Sequence, residues 1–176
     1  MDINRKIVIV SILIVILLVI LFGTLKIINR KSQPNNLAKK KEISVYFSTQ
    51  EAMYLTAEKR LVGQDKLYKN TVEELILGPS DPVHNRTVPE GVKVRDIKVE
   101  EGLARVDFNR ALVDNHWGGS TGERMTVYSI VNTLTQFDEI DRVLILIDGQ
   151  KVDTLAGHLD LSSPIEFNDK IIQNSS

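Results

Sequence analysis

The chain has 176 residues, with 22 Lys and Arg against 23 Asp and Glu, 43% hydrophobic residues and no cysteine. That length sets an expectation of one principal domain, and the lack of cysteine excludes disulfides and any lipid attached through a thiol. The charge is unevenly divided: residues 1–41 carry a net +7 and residues 42–176 a net −8, so the acidic body repels phosphate backbones and no nucleic-acid partner is expected.

A short tail, residues 1–6, precedes "IVIVSILIVILLVILFGTL" (Ile7 to Leu25), which holds no charge and only Ser11 and Thr24 as polar side chains. As a helix it reaches roughly 28 Å, enough for a bilayer core of about 30 Å. It exceeds the usual h-region of a cleaved signal peptide, and no A-x-A site comes after it, so residues 7–25 are expected to be an uncleaved transmembrane anchor. Residues 26–41, "KIINRKSQPNNLAKKK", form a basic polar tether that Pro34 keeps from being a helix and whose charge suits anionic headgroups. Only Arg5 and Lys6 precede the anchor, while six Lys and Arg lie beyond it within the tether. Read literally, the positive-inside rule places residues 42–176 in the cytoplasm.

The domain is expected over residues 42–170, with a tail at 171–176. "EISVYFS" alternates Ile43, Val45 and Phe47, a strand. "AMYLTAEKRLV", with Met53, Leu55 and Ala57 alternating, reads as its hairpin partner. "DKLYKNTVEELILGP" changes to a helical period through Tyr68, Val72, Leu75 and Ile76. Asp65 is its expected cap and Gly78-Pro79 its stop. "VKVRDIKVEEGLARVDF" reads as a hairpin turning at Glu101-Gly102, with a bulge expected between Val94 and Ile97. Ala111 to Val113 are expected in a loop.

Next comes "DNHWGGSTGERMTVYSIVNTLTQF". Val127, Ile130, Val131, Leu134 and Phe137 share a helix face. Ser120-Thr121-Gly122-Glu123 has the S-x-x-E spacing of a capping box, in which Ser120 and Glu123 satisfy each other's backbone N–H. Gly118 and Gly119 permit a tight turn into the helix. The rival reading is an envelope hydrolase with Ser120 as nucleophile, His116 as base and Asp114 as orienter, but no G-x-S-x-G elbow is present. Trp117, the only tryptophan, is either a lid on the core or an interface anchor. In the second case Asn115, His116, Trp117, Gly118 and Gly119 form an interaction surface, for a protein or for peptidoglycan or another carbohydrate.

"RVLILID" reads as a strand buried on both faces and therefore central. Asp148-Gly149 is a turn, and "SSPIEFND" a short edge strand. His84, His116 and His158 are scattered without H-x-x-x-H spacing, so neither a metal nor another cofactor is expected. "NRT" from Asn85 to Thr87 is a formal glycosylation acceptor. The expected architecture is α+β: a small, mostly antiparallel sheet with two helices packed on one face, preceded by one transmembrane helix.

Three stretches, "EELILGPSDP", "TVPEGVKVRDIKVEEGLARVDFNRAL" and "GERMTVYSIVNTLTQFDEIDRVLILIDGQ", resemble the GerM domain family of sporulation, spore-germination and other bacterial envelope proteins. The resemblance spans about residues 43–168. It implies two helices on one small sheet, similar to ring-building motifs, together with an extracytoplasmic position, partners in the envelope or sporulation machinery, and no catalytic residues. Members with spore roles carry two copies of the domain and a lipid-bearing Cys. This chain shows one copy and, in place of the lipid, residues 7–25. The resemblance favours a domain outside the cell membrane, and that is the topology expected here.

Overall fold

The computed structural model describes residues 39–173, together with Ile16 and Leu17. The chain divides between Ala38 and Lys39, and the unit from Lys39 onward holds the fold. Apart from Ile16 and Leu17, the expected anchor lies outside the described residues, as do the tether before Lys39 and the last three residues of the tail. Among the described residues no helix is long and apolar enough to cross a membrane.

Strands β1 (Lys40–Ser48) and β2 (Leu55–Gly63) form an antiparallel hairpin. Ile43, Val45 and Phe47 are buried on one face of β1, as their alternation requires. Lys40 and Lys41, read from sequence as tether, pair with Gly63 and Val62 inside the ladder. The expected register of β2 is corrected. Met53 sits exposed in the turn and Ala57 faces solvent, and only Leu55 of the three is buried.

Helix α1 (Leu67–Leu77) buries Thr71, Val72 and Leu75. Asp65 does not cap it. Lys66 holds the cap position with no side-chain hydrogen bond, and Asp65 instead accepts from Asn70 Nδ2 at 3.3 Å. At the other end Gly78 turns the chain at φ +92°, where a Cβ is costly. Arg86 donates to the free carbonyls of Ile76 and Leu77, a C-terminal cap supplied from outside the helix.

Strands β3 (Val94–Glu100) and β4 (Leu103–Phe108) pair antiparallel, with the expected bulge between Val94 and Asp96. Residues Ala111–Asp114, expected as loop, form a one-turn helix, α2, whose Leu112 is buried. Helix α3 (Ser120–Leu134) comes next, burying Val127, Ile130, Val131 and Leu134. Strand β5 (Arg142–Ile147) is central, flanked by β4, β6 (Gln150–Lys151) and β7 (Ile165–Glu166). Asp148 and Gly149 form its two-residue turn with φ of 49° and 77°, a twist that suits a tight hairpin.

The architecture is α+β, with one correction: the strands make two sheets, β1–β2 and a five-stranded sheet, not one. Within the second, β4 and β5 run parallel, because α2 and α3 carry the chain back across the sheet between them. Helix α1 packs on β1, β2, β3 and α3, and α3 packs on β1 and β5. One hydrophobic core thus joins both sheets through the helices, with Phe47, Phe108, Leu112, Ile130 and Leu134 at its centre.

Candidate functional site

The segment from Asp114 to Glu123 links α2 to α3, and its geometry decides between the readings. Gly118 and Gly119 both adopt positive φ, 78° and 76°, and a Cβ on either would meet nothing within 4 Å. The glycines are therefore required by backbone direction, not by lack of room. Gly119 holds the position before α3, and Glu123 N–H donates to its carbonyl at 3.0 Å.

No capping box forms. Helix α3 has no side-chain cap, Ser120 is exposed as its first residue, and Glu123 is wholly buried and turned away from Ser120. The Glu123 carboxylate accepts the backbone N–H groups of Leu155 (2.7 Å), Ala156 (2.9 Å) and His158 (2.8 Å) and the Thr154 hydroxyl. The S-x-x-E spacing is present, but four converging donors from a distant loop outcompete one local N–H for the carboxylate. Burial alone raises the Glu123 pKa; the hydrogen bonds from Thr154, Ala156, Leu155 and His158 outweigh it and hold the group below the usual carboxylate range.

The hydrolase arrangement is not assembled. Asp114 pairs with Arg110 at 3.2 Å, one turn back. His116 Nδ1 accepts the Gly118 N–H at 2.9 Å, and His116 Nε2 lies 3.2 Å from Thr126 Oγ. The Thr126 hydroxyl itself donates to Thr87 O at 2.6 Å. This network assigns the proton to Nε2 and occupies the Nδ1 lone pair, leaving neither nitrogen to serve Ser120. Burial lowers the His116 pKa, opposed by the nearby Glu123 charge, which fits a neutral ring used as a brace.

That brace carries Trp117. The indole stacks on the His116 ring with centroids 5.6 Å apart, and Gly122 packs so closely that a Cβ there would stand 2.9 Å from the indole. Yet Trp117 is 53% exposed, so it is not a lid on the core. Asn115 donates to Glu90 O at 2.8 Å, pinning the loop at its other end.

A second polar cluster has no signal in the sequence pattern. Glu58 on β2 pairs with Arg60 (2.8 Å) and His84 (2.8 Å) and accepts Ser80 N–H at 2.9 Å. Burial raises the Glu58 pKa, but these partners and the Asp81 N–H hold it below its ordinary value. The cluster clamps the Gly78–His84 loop to β2. Glu58 and His84 lie 26 residues apart in sequence, so no local spacing announces it. Asn85 of the glycosylation triplet is likewise engaged, donating to Thr49 O and Gln50 O.

Among the described residues no group of three or more potential ligands is placed to hold a metal. No curated protein matches the chain. Among solved structures, the fold is similar to the tandem GerMN domains of the sporulation protein GerM from Bacillus subtilis, with a TM-score of 0.63 at 20% identity. That likeness covers 73% of this chain and 46% of the tandem protein, so this chain spans less than half of that relative. The first GerMN domain of the same protein matches at a TM-score of 0.60 and 22% identity, over 74% of this chain and 98% of that domain. A Clostridium perfringens protein assigned as a lipoprotein matches at 0.53 and 26%, over 77% of this chain and 93% of its own. A family profile described as "Germane: Sporulation and spore germination" matches residues 44–153, which takes in the whole of α1 to β6 and most of the first hairpin. The chain belongs to the Germane family of sporulation and spore-germination domains.

Proposed function

We propose that this domain is a protein-interaction module of the bacterial envelope serving sporulation, germination or cell-wall assembly. It is held at the cell membrane by residues 7–25 and faces away from the cytoplasm. The observation that carries the reading is Trp117: a large apolar side chain more than half exposed, on a loop fixed at both ends by Asn115 and by the His116 brace. A rigid, exposed aromatic loses little conformational freedom on binding, and such anchors supply much of the energy of protein interfaces.

The test is capture of partners from native membranes with wild-type protein and Trp117→Ala, each checked for thermal stability. Wild-type capture lost in a folded variant supports the reading. Unchanged capture removes Trp117 from it, and retention on isolated peptidoglycan alone assigns the loop to the cell wall. Topology has its own test: protease added to intact protoplasts should remove residues 42–176. Digestion only after lysis places the domain inside.

A further inference from the structure

The turn between β1 and β2 holds two large apolar side chains out of the core, Met53 at 59% exposure and Tyr54 at 42%. They line a groove of about 480 Å³ whose opposite wall is the first two turns of α3 and the segment ending in the 3-10 turn Asp169–Ile171. Arg124 and Lys170 line that opposite side. Both are exposed, and among the described residues neither has a carboxylate within ion-pairing distance, as is also true of Arg142. The groove's one acid is Glu51. On a body whose residues 42–176 sum to −8, this is a locally cationic cleft beside an apolar ledge.

The walls are built, not draped. Asn132 and Asn168 exchange hydrogen bonds of 2.9 and 3.0 Å, holding the last segment to α3. Asn168 Oδ1 then accepts the Lys170 N–H at 3.1 Å. Ile171 is buried against Leu55 and Met125 directly beneath the cleft, and Gln173 N–H donates to Leu55 O.

We propose that this groove binds an acidic peptide segment of a partner protein, with a carboxylate between Arg124 and Lys170 and a neighbouring apolar side chain against Met53 and Tyr54. Charge complementarity selects this occupant: a basic segment would leave both cations unpaired, and a neutral one would not reward their isolation. The proposal rests on the reading of the domain as an interaction module, but on a surface that Trp117 does not line.

The experiment uses the full-length protein in nonionic detergent and a fluorescein-labelled octapeptide alternating Glu and Leu, with matched peptides carrying Gln or Lys in place of Glu, monitored by anisotropy against empty micelles. The expected result is binding of the Glu peptide at least about tenfold tighter than the Gln peptide, weakening with salt. The double variant Arg124→Glu with Lys170→Glu, folded by circular dichroism, should lose that preference and favour the Lys peptide. Trp117→Ala should leave the Glu peptide's affinity unchanged. Equal affinity for the Glu and Gln peptides, or indifference to the charge reversal, overturns the proposal. So does tighter binding of soluble muropeptides that the reversal abolishes, which would give the groove to the cell wall. If only Trp117→Ala abolishes binding, the groove fails while the loop reading survives; capture lost in Trp117→Ala with the peptide unaffected supports both.

Discussion

Glu123, in the first turn of α3, accepts the backbone N–H of His158 at 2.8 Å across 35 residues of chain. With Leu155, Ala156 and Thr154 on the same carboxylate, it fixes a loop that has no regular secondary structure of its own. Glu123→Gln puts an amide NH₂ where one oxygen met N–H donors, so at least one donor, the His158 N–H, loses its acceptor. Hydrogen bonds to charged groups are worth about 1.5–3 kcal/mol each in stability, and a loss of about 3 kcal/mol is expected in urea unfolding. Ser120→Ala, which removes no cap, should stay within about 0.5 kcal/mol of wild type. A Ser120→Ala loss near that of Glu123→Gln would restore the capping box.

Acid should act through the same carboxylate. Glu123 titrates below its ordinary value in the folded chain, so protons bind the unfolded state more readily. Its contribution is therefore complete above the unfolded carboxylate pKa of roughly 4.3 and is lost as pH falls through the lower folded value. Glu58 is depressed as well, burial working against its His84, Ser80, Asp81 and Arg60 partners, and adds a loss of the same sign. Urea midpoints taken from about pH 7 down to about pH 3 should fall steeply for wild type and less steeply for Glu123→Gln. Parallel curves for the two proteins would show that Glu123 titrates normally.

Much of this fold is legible where the information is local. The alternation of Ile43, Val45 and Phe47, the bulge after Val94, the run Val143 to Ile147, buried but for half-buried Leu146, and the Asp148-Gly149 turn all derive from period and turn chemistry, and each is found. The illegible parts depend on distant partners. Glu123 reads as a cap because its spacing to Ser120 is right, and nothing near it signals four donors more than thirty residues on. Asp65 fails as a cap because Asn70 claims it. The separation of β2 from β3 into different sheets has no signature in either strand. At the candidate site, two positive-φ glycines beside a tryptophan announce a turn. The exposure of Trp117 depends on support from His116 and Gly122 beneath the ring, which no spacing encodes.

The turn from β3 to β4 should tolerate no side chain at Gly102. Its φ is +75°, and a Cβ would run into the Asp141 carboxylate, with Asp141 Cγ at 3.0 Å. The Asp141 backbone is held, its own N–H and that of Arg142 donating to Gly102 O at 2.8 and 3.1 Å, so only its exposed side chain can give way. The left-handed backbone costs an L-residue about 1–2 kcal/mol, and the clash adds only what rotation of the exposed Asp141 side chain does not relieve, so Gly102→Ala should lose about 2 kcal/mol in all. Adding Asp141→Ala should recover the steric part and leave the backbone part. If the double variant recovers nothing, the clash is not the cause.

Ala52 presents the opposite case. It sits at φ +57° in the six-residue turn that Thr49 N–H closes onto Tyr54 O at 2.9 Å. Its own N–H bonds Thr49 O at 2.9 Å, so the conformation is held by the turn. A left-handed alanine costs about 1–2 kcal/mol that glycine avoids, while glycine loses about 0.4–1 kcal/mol through the freer unfolded chain. Ala52→Gly should therefore raise stability by about 0.5–1 kcal/mol. The gain should appear in the unfolding midpoint with no change in the denaturant slope, since no core surface is altered. A loss of stability would mean that the Ala52 methyl, half-buried in the turn, contributes more by packing than its backbone costs.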